Sequence, residues 1–312
     1  MGAFLVRRLW QMIPTLLGVV LLVFFLFNWV GGDPAYILAG KMANPDDIAN
    51  IRHQLGIDRP LWEQLLIFVQ QIVTGDFGNS WATQEPVSAI FRTRLGPSLI
   101  LLIPMMLLET AVAVAVALAV SAWRGSTLDR SLMAVSTVMM SISLLVYIIV
   151  GQYVFAYLLG WFPVKGWSDE FWRNLTTYAV LPVLLGLMVS IAPSVRLYRT
   201  FVLDEIGQDY VRTARAKGLS ETRVLLVHVL RNAAIPIVTN VLMGLPALLT
   251  GAFLLERFFA IPGIGREIIL AVERSDFPII KAATVYVAMA TMLANLLGDL
   301  LYHWLDPRVH LE

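Results

Sequence analysis

Cysteine is absent from the 312 residues, so neither a disulfide framework nor a thiolate metal or redox site can be built. Histidine is scarce and scattered, at His53, His228, His303 and His310, and metal and triad chemistry lack their parts. The chain contains no Gly-x4-Gly-Lys-Ser/Thr phosphate loop, no His-Glu-x-x-His and no Gly-x-Ser-x-Gly. The usual nucleotide-binding, zinc-hydrolase and serine-hydrolase readings therefore fall away. Charge is the last shortage. Charged residues make up 14%, against about a quarter in an ordinary soluble domain, whereas hydrophobic residues reach 58% and the mean hydropathy is +0.74. So few charges cannot coat a folded protein of this size, and a wholly soluble globule is excluded. The net charge of +1 gives no support to a nucleic-acid partner.

The apolar residues fall in runs suited to a lipid bilayer. Charge-free or nearly charge-free stretches cover residues 9–32, 95–123 with only Glu109 inside, 131–164, 174–195, 232–255 and 282–298, the last resuming at 300–305 beyond Asp299. A spanning helix needs about 20 apolar residues, so each stretch can hold one span and six is the natural count. The third stretch would make a helix of roughly 50 Å, more than the roughly 30 Å hydrocarbon core requires. With no polar turn to divide it, the expectation is one helix over residues 131–158, followed by an aromatic, Pro-containing interfacial loop at 160–167.

Arg7 and Arg8 precede the first apolar run as in a secretory signal, but a signal core spans only about 7–15 residues. The longer run here is expected to stay as an anchor. With the N-terminus in the cytoplasm, six spans put residues 123–130, 196–231 and the C-terminus inside. Segment 196–231 carries Arg196, Arg199, Arg212, Arg215, Lys217, Arg223 and Arg231, whereas the longer segment 31–97 carries only Lys41, Arg52, Arg59, Arg92 and Arg94. This asymmetry follows the positive-inside tendency. The resulting organisation is a first transmembrane helix (1–32), an external helical segment (33–95) and a five-helix core (96–312) that includes the cytoplasmic loop 196–231.

Both extramembrane segments carry helix signals. In the external one, Asn44-Pro45-Asp46-Asp47 starts a helix, Ile48, Ile51 and Leu55 follow at helical spacing, and Gly56 stops it. Arg59-Pro60 opens a second helix through Leu61, Leu65, Phe68, Val69 and Ile72, ended by Gly75. In the cytoplasmic one, a helical wheel puts Tyr210, Val211, Ala214 and Gly218 within an arc of about 100°, flanked by Arg212 and Arg215 on one side and Lys217 on the other. Small residues allow another backbone to approach, and Gly218 can end the helix in the left-handed conformation. Composition alone supports equally a basic loop resting on anionic lipid.

The residues 210–219, Tyr-Val-Arg-Thr-Ala-Arg-Ala-Lys-Gly-Leu, resemble the coupling-loop signature of ABC-importer permeases of the dipeptide, oligopeptide and nickel class. Of that superfamily's general Glu-Ala-Ala-x3-Gly pattern, Ala214 and Gly218 remain, while Arg212 and Thr213 take the peptide-subfamily form. The resemblance covers nearly the whole chain. It continues through Ile13-Pro14-Thr15-Leu16-Leu17-Gly18, Gly32-Asp33-Pro34-Ala35, Leu55-Gly56-Ile57-Asp58-Arg59-Pro60-Leu61, Gly75-Asp76-Phe77-Gly78, residues 228–236, Phe259-Ala260-Ile261-Pro262-Gly263-Ile264-Gly265 and Leu305-Asp306-Pro307-Arg308. One departure lies in the second span, where relatives carry a Glu and this chain reads Leu99-Ile100-Leu101, with Glu109 further in.

The resemblance implies an all-α type I importer fold in a bacterial inner membrane, paired with a homologous second permease subunit. It further implies two cytoplasmic ABC ATPase subunits that use ATP and Mg, and an external substrate-binding protein; this chain would bind no cofactor and hold no catalytic residue. The coupling helix would comprise Tyr210, Arg212, Thr213, Ala214, Arg215, Lys217, Gly218 and Leu219, with Tyr210, Ala214, Gly218 and Leu219 buried against the ATPase and Arg212, Arg215 and Lys217 pairing at the rim.

Ionisable groups inside spans invite a functional reading. Glu109, and Asn295, Asp299 and His303 at i, i+4 and i+8 with Tyr302 beside them, are candidates to line a polar path; interhelical hydrogen bonding accounts for them as well. Met105, Met106, Met139 and Met140 fit either an adaptable peptide surface or ordinary packing. Phe259, Pro262, Gly263 and Gly265 are candidates for an external gate or receptor contact. The substrate expected is a di- or oligopeptide, with a nickel chelate or another small solute as the alternative. An ion-coupled secondary transporter or channel is the competing class, which lacks an evident internal repeat here.

Overall fold

The computed structural model describes residues 2–30, 33–39 and 44–305. Gly32, Asp306, Pro307 and Arg308, which carry parts of the first and last family signatures, lie outside the described residues, as do the side chains of Tyr302 and His303. Among the described residues the fold is all-α; the sole β-type pairing there is an isolated bridge between Asn79 and Pro86.

Helix α1 (Gly2–Phe25) passes into a π-helical turn (Leu26–Val30), and a helical cap follows as α2 (Pro34–Ala39), α3 (Pro45–Leu55) and α4 (Leu61–Thr74). Gly56 and Gly75 close α3 and α4 with φ of 66° and 69°, the left-handed geometry that glycine adopts without a Cβ clash. Helix α5 (Val87–Ala122) starts immediately after Pro86, earlier than the apolar stretch alone indicates. Ser88, Arg92 and Arg94 in its first turns disguise it as loop.

The third stretch departs from expectation. Instead of one straight helix it forms α6 (Thr127–Ser141) and α7 (Leu144–Gly151), the latter continued by π-helical residues Gln152–Leu158, and the two halves meet at 88°. The chain turns at Ile142, which is extended (φ −92°, ψ 128°), and Ser143 caps the second half by accepting from the Leu145 N–H. Ser143 thus does the work for which a more polar turn was expected. The five single helices that satisfy length and apolarity cover Val6–Trp29, Val87–Ala122, Val180–Ile206, Glu221–Gly244 and Phe277–Leu300; the bent pair makes six.

After a short helix α8 (Phe171–Arg173) come α9 (Val180–Ile206), α10 (Asp209–Ala216), α11 (Glu221–Arg223), α12 (Leu230–Gly244), α13 (Ala247–Thr250), α14 (Phe253–Phe258), α15 (Ile264–Glu273) and α16 (Phe277–Leu305). Helix α9 is central and packs on α5, α6, α7 and α12, while α16 rests on α1 and α12. Small residues set these distances. A Cβ on Gly151 would stand 2.4 Å from Leu185 Cδ2, and one on Gly186 would stand 2.3 Å from Met105 Sδ. Without a hydrophobic drive between helices in lipid, such close backbone approach supplies the packing. Met105 is accordingly a packing residue seated over Gly186.

Candidate functional site

The candidates in segment 196–231 form one compact unit. Helix α9 ends at Ile206, Gly207 and Gln208 turn the chain, and Asp209 opens α10 with its carboxylate in the first turn, where the helix dipole favours it. Across the turn, the Tyr210 hydroxyl donates to Glu205 Oε2 at 2.5 Å. Burial, reinforced by that carboxylate, pushes the Tyr210 phenol up to about 12, so it remains a neutral donor at physiological pH. Beyond α10, Gly218 adopts φ 77°, and Arg215 reaches over this turn to grip Glu221 at 2.6 and 3.1 Å.

The orientation of α10 corrects the expected division of labour. Val211 and Ala214 are buried in the chain's own core, among Val195, Tyr198, Val202, Val224 and Val229, and Tyr210 and Leu219 pack against the same cluster. The small-residue face therefore mounts α10 on the spans and is not free to receive a partner. The outward face presents Arg212, Thr213, Lys217 and Gly218, all exposed. Arg215 is also exposed and pairs with Glu221, while Arg212 pairs with Asp209 at 3.3 Å; Lys217 forms no ion pair among the described residues. A Cβ on Gly218 would meet nothing within 4 Å, so its requirement for glycine is one of backbone conformation.

This mount is held to α6 by a second device. Arg199, about two turns before the end of α9, binds the buried carboxylate of Asp129 in bidentate fashion, and the Gly125 N–H completes the set at 2.9 Å. Ser126 caps α6 by accepting from the Asp129 N–H at 3.2 Å.

At the opposite end of the bundle, Phe259, Gly263 and Gly265 are buried and Pro262 is half-buried. These gate or receptor-contact candidates pack around Glu256, which is fully buried. Its carboxylate accepts from Ser98 Oγ (2.8 Å), Ala252 N–H (3.0 Å) and Arg266 N–H (2.9 Å), with a further backbone bond from Gly265. Ser98 in turn accepts from the Ile264 N–H at 2.8 Å. Desolvation pushes the Glu256 carboxyl above the usual range, and the four donors oppose that shift. The glycines make room for this group. A Cβ on Gly263 would lie 2.4 Å from the carboxylate, and one on Gly251 would lie 2.5 Å from the Gly265 nitrogen.

The intramembrane polar candidates are not brought together. Glu109 on α5 accepts from Ser194 Oγ on α9 at 2.5 Å. Asp299 on α16 instead pairs with Arg8 on α1 at 3.0 Å, and Asn295 lies beside that pair in a cleft of about 180 Å³ with Gln11, Met12 and Thr15. Glu109 and Asp299 each join two helices, as interhelical hydrogen bonding requires.

Residues 110–311 match the family described as binding-protein-dependent transport system inner membrane component, and residues 1–102 match its N-terminal companion. The chain belongs to this family. It is 36% identical over 306 residues to the glutathione transport system permease protein GsiC of Salmonella typhi, covering 98% of each chain. It is also 33% identical over an alignment of 334 residues to the dipeptide transport system permease protein DppB of Escherichia coli strain K12, again covering 98% of each.

As a member of the binding-protein-dependent family, the protein is an ABC-importer permease, a multi-pass subunit of the inner membrane and a transport component in its own right. Two features of this permease escape sequence reasoning. Glu256 stands next to Arg257 and reads as one half of a surface charge pair, although its neighbourhood of Gly251, Gly263 and Gly265 signals a crowded backbone. Asp129 reads as a first-turn helix charge; only the approach of α9 reveals Arg199 as its partner.

Proposed function

We propose that this permease forms half of the translocation path of an ATP-driven importer for di- and oligopeptides. An external binding protein delivers the substrate, a homologous second permease completes the path, and two cytoplasmic ABC ATPase subunits hydrolyse Mg-ATP. Helix α10 is the docking element, with both termini on its side of the membrane. The single observation supporting this most strongly is the construction of α10: a short helix whose buried Val211 and Ala214 share one core cluster with residues of α9 and of the adjoining segment 224–229, and whose exposed face carries Arg212, Thr213 and Lys217. A rigid mount with an exposed cationic face suits a lever that feels different contacts in outward-open and inward-open states, the condition for ATP to shift that equilibrium. The substrate class rests on the relatives' names, since dipeptides and glutathione are both short peptides.

Glu109 and Asp299 act in this reading as fasteners between helices, with Asn295 beside the second, and the Glu256 junction keeps the outer mouth's helices in register. The deciding experiment reconstitutes the permease pair, the ATPases and the binding protein in vesicles and follows labelled dipeptide and labelled nickel. ATP-dependent accumulation of dipeptide is expected. Nickel uptake without peptide uptake would overturn the substrate class, and uptake driven by an ion gradient without ATP would overturn the mechanism.

A further inference from the structure

Lys281 occupies the second turn of α16, just inside the span, where an ammonium group is costly unless something compensates it. Among the described residues it forms no ion pair. Its Nζ lies instead 5.6 Å from the ring centroid of Phe27 and 5.7 Å from that of Phe68, contacts that only partly offset lost hydration. The acids of the surrounding wall are already engaged: Asp33 with Arg52, and Asp58 with His53 at 2.7 Å.

Two clefts meet at this lysine. One, of about 610 Å³, lies between the outer end of α1, the cap helices α3 and α4, and the start of α16; the other, of about 520 Å³, lies under the loop 77–84. Both volumes suit a small ligand. Lys281, Gln71, Leu55 and Trp81 line both clefts. The half-buried Gln71 side chain makes no hydrogen bond to the described protein, nor does that of Asn28, which also lines the larger cleft. The junction therefore offers one uncompensated cation, uncommitted amides, and an aromatic wall from Phe27, Phe68, Trp81 and Phe277.

We propose that this junction is a carboxylate-binding site, in which Lys281 and Gln71 hold the C-terminal carboxylate of a short peptide and the aromatic wall receives its side chains. The ligand class rests on the peptide-import reading above. The site lies on the cap side of the bundle, so it serves as a staging point between the delivering protein and the path. An ammonium and an amide donor facing one carboxylate give a charge-assisted pair, and a neutral C-terminal amide cannot replace it.

The test uses the full-length permease in nanodiscs of zwitterionic phospholipid and radiolabelled Ala-Phe as probe. Saturable binding is expected. It should weaken at least about tenfold in Lys281→Gln, stay within about threefold of wild type in Lys281→Arg, and resist competition by Ala-Phe amide. Equal competition by the amide, undiminished binding in Lys281→Gln, or no binding at all would overturn the site. Displacement of Ala-Phe by phosphatidylglycerol in the disc would assign the cation to a lipid phosphate and overturn the peptide assignment. Should Lys281→Gln fail to fold, the arginine variant and the amide comparison still decide. An assembled complex that imports no peptide, while the permease still binds Ala-Phe through its carboxylate, would refute the transport reading and leave the site standing.

Discussion

Arg199 on α9 holds Asp129 on α6 through two hydrogen bonds, Nε to Oδ1 at 2.8 Å and Nη2 to Oδ2 at 2.7 Å, with both side chains largely buried. The pair joins α6, the first half of the bent pair, to the helix that leads into α10. Breaking such a pair on one side leaves an uncompensated buried charge, at a cost of about 3–5 kcal/mol. Asp129→Ala is therefore expected to lower the thermal midpoint of the detergent-purified permease sharply. The double variant Asp129→Ala with Arg199→Met should recover most of the loss. A single variant as stable as wild type in scanning fluorimetry would show that the pair does not hold α6 to α9.

The Glu256 junction makes a prediction with a pH signature. Gly263→Ala puts a methyl group against the carboxylate and should destabilise the outer end by more than the typical surface substitution, about 1–3 kcal/mol for overpacking. Glu256→Gln keeps the size but turns an amide group toward backbone donors, at about 1–3 kcal/mol for the group left unsatisfied. The wild-type carboxyl is raised in the folded state, so the folded protein binds a proton more readily than the unfolded chain. Stability from this group is present at low pH and falls as pH rises through the folded value. The midpoint gap between wild type and Glu256→Gln should accordingly widen as the pH is lowered through the folded value; a gap that narrows would contradict the desolvated environment.

The two faces of α10 should separate stability from docking. Ala214→Leu overfills the core cluster that holds Val202 and Val229 and is expected to cost about 1–3 kcal/mol, which fluorimetry reads as a lowered midpoint. Gly218→Ala strains a residue at φ 77° by about 1–2 kcal/mol. Reversing charge at Arg212 and Lys217 touches nothing in the core, so the midpoint should hold while ATPase co-purification is lost. Retained co-purification in that double variant would move the docking surface elsewhere.

These assignments show where reading the sequence succeeds. Apolar runs announce the spans because lipid forces each one to satisfy its own backbone hydrogen bonds. The kink at Ile142 stays hidden, since Ser141 and Ser143 are weak turn formers amid apolar residues. A helical wheel identifies the arc shared by Tyr210, Val211 and Ala214, but cannot tell whether that arc meets a partner or the chain's own Tyr198 and Val202. Only the position of α9 decides. For the same reason Asp299 reads equally as a path residue and a fastener until Arg8 is seen 3.0 Å away.

Glu109 and Ser194 provide a fourth check. Because the carboxylate is engaged by α9, Glu109→Gln retains a hydrogen-bonding side chain and should leave peptide uptake near the wild-type rate, with a loss of about 1 kcal/mol in stability. Uptake reduced tenfold at an unchanged midpoint would instead return Glu109 to the translocation path.

The lack of cysteine makes topology directly measurable, because any introduced thiol is the only one in the chain. Thr213 on α10 and Gln70 on α4 are exposed. Thr213→Cys should react with a membrane-impermeant maleimide only in inside-out vesicles, and Gln70→Cys only in intact spheroplasts. The bent pair is tested by Arg130→Cys and Trp161→Cys, exposed positions on either side of it. A pair that crosses once through its 88° bend places them on opposite faces, with Arg130→Cys labelled from the side of Thr213 and Trp161→Cys from the side of Gln70. Labelling of both from one side would make the segment 127–158 a re-entrant loop, reduce the spans to five and move α10 and the N-terminus to opposite faces of the membrane.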